Sequence, residues 1–385
     1  MDILEDKNQI ISNIQQKNPD DNDLEDYNTN SPNKEYIENA VYPTKVNFSK
    51  ATPSIFDLHR KYTERKSIIL TPDFQRDNVW TKKQKSELVE SILMGIPIPL
   101  MYFFQNEKGE ILVVDGKQRL KALFDFKDNK FRLSELSILS ELKGKNFNDL
   151  TPLEKTNIED YELNVYIIKP PTHDRIKFDI FDRVNRGGTR LNNQEMRNAI
   201  YQGYSTELLN KLSKMDFFKK ATDFSIQTNR MKDKYIILRA ISFIMLNNNE
   251  INFNEKYSSD IDDFLGKSMK FLNENSDYLG IIEEIFTKSL KNCYNILGKD
   301  GFRLSYYKKD NDKKSPVNMV LFEIFVYLMS HDYVNINNKK TKSLIINLFE
   351  NEDFLDSITT PVDSSIKVIK RFEYMNKILK ELNND

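Results

Sequence analysis

The sequence is poor in the residues that build metal and redox centres. Its 385 residues include one cysteine and three histidines. A lone thiol, Cys293, excludes an internal disulfide framework and a cysteine-based zinc site, and suggests a reducing compartment, so the cytoplasm is the expected location. His59, His173 and His331 are scattered, with no spacing that would put two imidazoles on one metal, which argues against a self-contained histidine-metal nuclease. Charge of one sign is also lacking. The chain has 57 Lys+Arg against 58 Asp+Glu, a net charge of -1, so any nucleic-acid contact must come from a local patch. No long apolar run occurs: the best, Val320 to Met329, is short and broken by Glu323. The acidic start, Met1 to Asp6, has no apolar core of a signal peptide. The one Gly-Lys-Ser string, Gly266-Lys267-Ser268, is preceded five positions earlier by Ile261, and its flanks read as helix, so it is no nucleotide-binding P-loop.

What is present falls into three stretches. Residues 1–50 are acidic and rich in asparagine, with Asp20 to Asp26 as the densest run, and read as a mostly disordered tail. Residues 51–203 alternate helix and strand signals. Thr81-Lys82-Lys83-Gln84 is a capping box opening a helix over 81–94, and Gly95 with Pro97 ends it. Leu100 to Gln105 and Glu110 to Val114 form a predicted hairpin about Asn106 to Gly109. Thr151 to Glu154 opens another capped helix, a strand runs from Val165 to Ile168, and Ile176, Ile180 and Val184 line one face of a further helix. Residues 204–385 are nearly all helical by pattern, with candidates at 206–215, 232–247, 258–272, 278–296, 316–330, 340–350 and 364–382. They show no fixed repeat, so the expected architecture is an irregular helical domain.

Three polar constellations carry the chemistry. Val114-Asp115-Gly116-Lys117-Gln118-Arg119 lies at a strand-to-helix junction. The positive end of a helix favours an anion there, Gly116 admits close approach, Arg119 offers a bidentate fork, and Asp115 suits a divalent cation. An ordinary solvated turn is the competing reading. The second constellation is Phe74-Gln75-Arg76 with Trp80 behind it, where Trp80 reads as a core anchor. The third is Phe181 to Gly188, with Arg183, Asn185 and Arg186, followed by Glu195 and Arg197-Asn198. A glycine pair is a common helix stop, but these side chains could also converge on a polyanion.

Taken together, Pro72 to Arg76, Val79-Trp80, Gly95 to Pro99, Val114 to Arg119 and Phe181 to Glu195 resemble the N-terminal domain of GmrSD-type restriction proteins. The likeness covers about residues 50–200, and Arg230 to Asp233 with Leu238-Arg239 extends it. The resemblance implies an α+β domain of ParB/sulfiredoxin-like fold with a small mixed sheet, and nucleoside triphosphate binding and hydrolysis tied to the 115–119 motif. Lys117 stands where the family usually has Gln, which carries binding over better than hydrolysis. A sulfiredoxin reaction is unsupported, because no cysteine lies near the turn.

The resulting assignment is an NTP-binding, NTP-hydrolysing component of a bacterial restriction or anti-phage system. Asp115, Gln118 and Arg119 are catalytic candidates. Arg76, Gly116, Lys117, Arg119, Arg183, Asn185 and Arg186 are nucleotide-binding candidates, and Asp115 and Glu195 are candidates for Mg²⁺. Expected partners are DNA, modified or of phage origin, and a separate nuclease chain, since the HNH-like domain of fuller members has no counterpart in these histidines. No membrane partner is expected, and self-association is left open. The alternative is a non-enzymatic DNA-binding or assembly module that uses nucleotide as a switch. Arg60-Lys61, Arg65-Lys66, Lys82-Lys83-Lys85 and Arg183, Arg186, Arg190 and Arg197 are basic clusters suited to a phosphate backbone.

Overall fold

The computed structural model describes residues 47–70, 80–106, 108–172, 192–307, 314–331 and 338–383, with the single positions Ile176, Ile180, Arg183 and Val334. The chain divides into two compact units, one of residues Val41–Ile200 and one taking in Tyr201–Asp385. The tail expected over residues 1–50 lies outside the described residues up to position 46.

The first unit is α+β. Its elements run β1 (Phe48–Ala51), α1 (Ile55–Thr63), β2 (Ile68–Ile69), α2 (Lys82–Leu93), β3 (Met101–Gln105), β4 (Ile111–Asp115), α3 (Lys117–Lys127), α4 (Pro152–Glu159), β5 (Val165–Ile168) and α5 (Asn193–Ile200). The expected hairpin is present as β3 and β4, antiparallel, with Phe104 opposite Leu112. Five strands make a small mixed sheet in the order β1-β5-β3-β4-β2. The β1–β5 and β3–β4 pairs are antiparallel, while β3–β5 and β2–β4 are parallel.

Side chains alternate across this sheet with period two, which separates two cores. Met101, Phe103, Ile111, Val113 and Val165 point to the face covered by α2, α3 and α4, where Leu88, Val89, Ile92, Leu120, Phe124 and Ile158 meet them. Phe104, Leu112, Val114 and Ile168 point to the other face, against Met196 and Ala199 of α5. Trp80 packs at the edge of the first core, as expected of an anchor. The capping boxes form as the sequence suggests: the Gln84 side chain accepts the Thr81 N–H at 2.9 Å, and the Glu154 carboxylate accepts the Thr151 N–H at 2.7 Å.

Glu90 of α2 fixes the loop that crosses the first core. Its carboxylate accepts backbone N–H groups from Ser137 (3.2 Å), Ile138 (2.8 Å) and Leu139 (2.8 Å), while Ser86 one turn earlier accepts the Ser134 N–H at 2.9 Å. Burial alone would raise the Glu90 carboxyl, but the three N–H donors outweigh it and hold the group below its ordinary range. A carboxyl depressed by folding stabilises the protein above its unfolded pKa, and that contribution fades as pH falls through the folded value. Glu90→Gln is therefore expected to cost about 1.5–3 kcal/mol at pH 7, as hydrogen bonds to a charged group do. Melting curves of parent and variant should converge as the solution is acidified below the usual carboxylate range; a constant gap would refute the assignment.

The second unit is helical: α6 (Tyr204–Leu212), α7 (Asp216–Ala221), α8 (Lys232–Asn247), α9 (Ile261–Glu274), α10 (Tyr278–Leu297), α11 (Leu304–Tyr307), α12 (Met319–Leu328), α13 (Asn338–Leu348), α14 (Glu352–Ser357) and α15 (Ser365–Asn383). Seven of these overlap the predicted helices, and the expected 232–247 segment matches α8 end to end. Every residue of α12 is buried, and Asn318 caps it by accepting the N–H groups of Val320 and Leu321. Gly266-Lys267-Ser268 sits inside α9, with Gly266 and Ser268 buried and Lys267 paired with Asp263 at 2.9 Å, so the string is continuous helix and not a phosphate loop. Cys293 is buried, as expected. Among the described residues no helix is long and apolar enough to cross a membrane.

Candidate functional site

The 115–119 turn is built at the end of β4, where a strand buried through its first four residues ends at half-exposed Asp115. Gly116 then takes the left-handed conformation, φ 92° and ψ 6°, and α3 begins at the next residue. Two constraints demand glycine here. Positive φ disfavours a Cβ, and a Cβ at this position would lie 2.6 Å from Cγ and 2.7 Å from Sδ of Met101, a fully buried side chain. The Leu120 N–H donates to the Gly116 carbonyl at 2.8 Å and closes the first helical turn. That turn contains no acidic residue; it carries Lys117 and Arg119 instead. Cations at the positive end of a helix are unfavourable by about 0.3–1 kcal/mol each, a cost that the Asp115 carboxylate offsets for Arg119 and that an anion bound at the turn would relieve.

Arg119 is not a loose side chain. Its Nη2 donates to Asp115 Oδ2 at 2.6 Å, and its Nη1 donates to the Pro99 carbonyl. The Pro99 segment is itself held. The Tyr161 hydroxyl donates to the Ile96 carbonyl at 2.7 Å and accepts the Ile98 N–H at 3.3 Å, and the Met101 N–H donates to Asn164 at 3.0 Å. The guanidinium is thus clamped between a strand-end carboxylate and a loop carbonyl. A planar fork with five N–H donors keeps further donors for a phosphate while its plane is fixed in advance. Asp115 is the more open partner, with 31% of its side chain exposed against 13% for Arg119.

Among the remaining expected site residues, Lys117 is half-buried and Gln118 exposed beside this pair. Arg183 is exposed on helical backbone. Arg76, Asn185 and Arg186, together with the Gly187-Gly188 turn, lie outside the described residues. Glu195 is buried in α5, where its Oε2 accepts the Asn192 N–H at 2.7 Å while Asn192 Oδ1 accepts the Glu195 N–H at 2.8 Å, a capping box that opens the helix. Arg197 corrects one expectation: it is fully buried, with Nε donating to Gln194 Oε1 at 3.1 Å, and is no part of a basic surface. Sequence reasoning missed the roles of Pro99, Met101 and Tyr161. The only signal for them was the Gly95 to Pro99 segment, which carries the family likeness but no charge.

Among the described residues no group of three or more His, Cys, Asp or Glu side chains could hold a metal ion by itself. A single half-exposed carboxylate at an anion-favouring turn does fit Mg²⁺ arriving with a nucleotide, because Mg²⁺ takes one or two carboxylates and completes its shell with phosphate oxygens and water.

Residues 55–202 match the family model described as GmrSD restriction endonuclease, N-terminal domain. The match spans 148 of the 385 residues, and this segment is similar to that domain. Comparisons with curated proteins and with solved structures gave no match.

Proposed function

We propose that the 55–202 domain binds a nucleoside triphosphate with Mg²⁺ at the 115–119 turn and hydrolyses it, as the nucleotide-driven component of a GmrSD-like system that restricts modified or foreign DNA. The observation that carries this reading is the turn itself: a left-handed glycine with no room for a Cβ, opening a helix whose first turn is basic, beside a clamped arginine. In this reading the domain is ParB/sulfiredoxin-like. Gly116 lets the phosphates approach the backbone, Lys117 and Arg119 bind them, and Gln118 orients the attacking water. Asp115 is the first carboxylate for Mg²⁺ and Glu195 the second, and the bound ion would neutralise charge developing on the transferred phosphoryl group. Arg76, Arg183, Asn185 and Arg186 complete the cradle. DNA cleavage belongs to a partner nuclease chain, and the system works in the cytoplasm.

The test is thermal melting of the full chain with each NTP and Mg²⁺. Ligand at about 100 times its dissociation constant should add roughly 2.7 kcal/mol of stability. Arg119→Ala and Asp115→Ala are expected to abolish most of the shift while still folding; retention of the full shift in both would place the nucleotide elsewhere. The same preparation should release phosphate from the NTP and leave DNA uncut.

One observation favours a second reading, in which nucleotide is bound as a switch and not turned over. Asp115 is engaged by Arg119, and Lys117 occupies the position where the family usually has Gln. A melting shift without phosphate release would select it.

A further inference from the structure

The helical unit exposes one large aromatic ring on an unusually constrained turn. Phe224, 70% exposed, follows the end of α7. The Asp223 N–H donates to the Lys220 carbonyl at 3.1 Å and the Phe224 N–H to the Lys219 carbonyl at 2.7 Å. This two-bond helix ending normally has glycine at its left-handed position, and the next residue normally packs an apolar side chain back onto the helix. Neither holds here. The left-handed residue is Asp223 (φ 53°), Phe224 is left-handed as well (φ 55°), and its ring stands in water. For a bulky aromatic residue this backbone is a genuine outlier, and such strain persists only where the surroundings enforce it.

The surroundings do enforce it. The Asp223 carboxylate is paired with Lys299 at 3.2 Å and with Lys314, and Lys314 reaches Asp300 at 2.6 Å. Ser225 Oγ accepts from Nη2 of buried Arg303 at 2.6 Å and donates to the Thr222 carbonyl at 2.6 Å, while Arg303 Nη1 donates to the Ser315 carbonyl at 2.5 Å. A buried arginine and two lysines therefore hold an apolar ring away from the core. At the surface the turn, α7 and these anchors carry Lys219, Lys220, Lys299 and Lys314 against the carboxylates of Asp216, Asp223 and Asp300, four positive charges against three, with Lys299 and Lys314 paired to Asp223 and Asp300.

We propose that this turn is a nucleic-acid contact, with Phe224 stacking on a base and the lysines following the phosphate backbone. Lysine is depleted at protein–protein interfaces, so a lysine-rimmed aromatic argues against a protein partner. A positively charged track interleaved with an exposed ring is the composition that binds unpaired or kinked nucleic acid. The assignment rests on DNA being the target of the system, and it gives the helical unit a part in engaging it.

The test is fluorescence anisotropy of the full chain on labelled single-stranded and duplex oligonucleotides across a salt series, with 2-aminopurine as the stacking reporter. Phe224→Ala should weaken binding about tenfold or more, the usual effect of removing a stacking platform, with the salt slope unchanged. Phe224→Trp should retain affinity. Lys219→Ala should reduce the slope of log affinity against log salt by about 0.9. Phe224→Gly fits left-handed backbone and should raise Tm by about 2–4 °C while losing the same affinity as Phe224→Ala. Stronger loss on the single strand marks stacking on an unpaired base; stronger loss on the duplex marks insertion at a kinked step. Parent-like binding by Phe224→Ala would overturn this surface alone and leave DNA as the system's target, whereas a parent chain that binds neither oligonucleotide would overturn both. A lower Tm for Phe224→Gly would make the ring structural and overturn the proposal.

Discussion

Replacing Glu323 by alanine is expected to unfold the helical unit at or near physiological temperature. Glu323 lies in the middle of α12 with no exposed surface, and each of its oxygens is taken by a different arginine. Oε1 accepts from Nε and Nη2 of Arg371 in α15 at 3.1 and 2.7 Å. Oε2 accepts from Nε and Nη2 of Arg239 in α8 at 3.0 and 2.8 Å. Both guanidinium side chains are themselves fully buried. Arg239 also reaches Asp363 at 2.8 Å, and Arg371 donates to the Val362 carbonyl at 2.5 Å, so two cations and two anions tie three helices and one loop together. Burial alone would lower the Arg239 pKa; Asp363 and Glu323 more than reverse this and hold it well above the ordinary guanidinium value. Removing Glu323 leaves two dry cations with one carboxylate between them.

Breaking a buried pair costs about 3–5 kcal/mol, and here two arginines lose their partner at once. Against a typical total of about 5–15 kcal/mol, that is a large fraction of the stability. Chemical denaturation of parent and variant reads it directly, and a loss under about 1 kcal/mol would sink the argument. Replacing Glu323, Arg239 and Arg371 together by Leu, Met and Met should recover much of the loss, because well-packed apolar residues often match a buried ion cluster.

The same residue shows what the sequence makes legible and what it hides. Glu323 breaks an apolar run, and that was enough to argue against a membrane segment; nothing local says that arginines 84 and 48 positions away in the chain close on it. Features that announce themselves locally were readable: the capping boxes at Thr81 and Thr151, the β3–β4 hairpin, the helix over 232–247. The edges of the sheet were not. β1 is a half-exposed Phe-Ser-Lys-Ala whose partner, β5, lies more than a hundred residues on, and β2 is two residues long. Propensity has little to act on in either. Helix α1 was missed although its signal was present, a Ser54 cap whose Oγ accepts the Asp57 N–H before Ile55 and Leu58. At the site, the Asp115–Arg119 pair is an ordinary i, i+4 spacing and could be guessed. The Pro99 carbonyl that completes the clamp comes from a different strand approach and could not.

Gly116→Ala is expected to cost about 2–5 kcal/mol and to remove nucleotide binding together with the stability. Positive φ in a non-glycine residue accounts for about 1–2 kcal/mol. The new methyl then meets Met101 at 2.6 Å, and overpacking a filled core adds about 1–3 kcal/mol. Met101 cannot simply swing aside, since it is fully buried at the start of β3 beneath the turn. The turn must lift instead, which moves Asp115 and Arg119 out of register with the Pro99 carbonyl. Gly95 supplies the control: it is also left-handed, at φ 70°, but a Cβ there has nothing within 4 Å. Gly95→Ala should therefore show only the backbone cost and keep the nucleotide-dependent melting shift. Met101→Ala alone should cost about 2–5 kcal/mol through its cavity, yet the double variant Gly116→Ala, Met101→Ala should be less destabilised than the sum of the two, because the methyl enters the space the thioether leaves. Strict additivity in that cycle, or a Gly116→Ala variant no worse than Gly95→Ala, would show that the turn is not braced on Met101 and that its glycine serves the backbone alone.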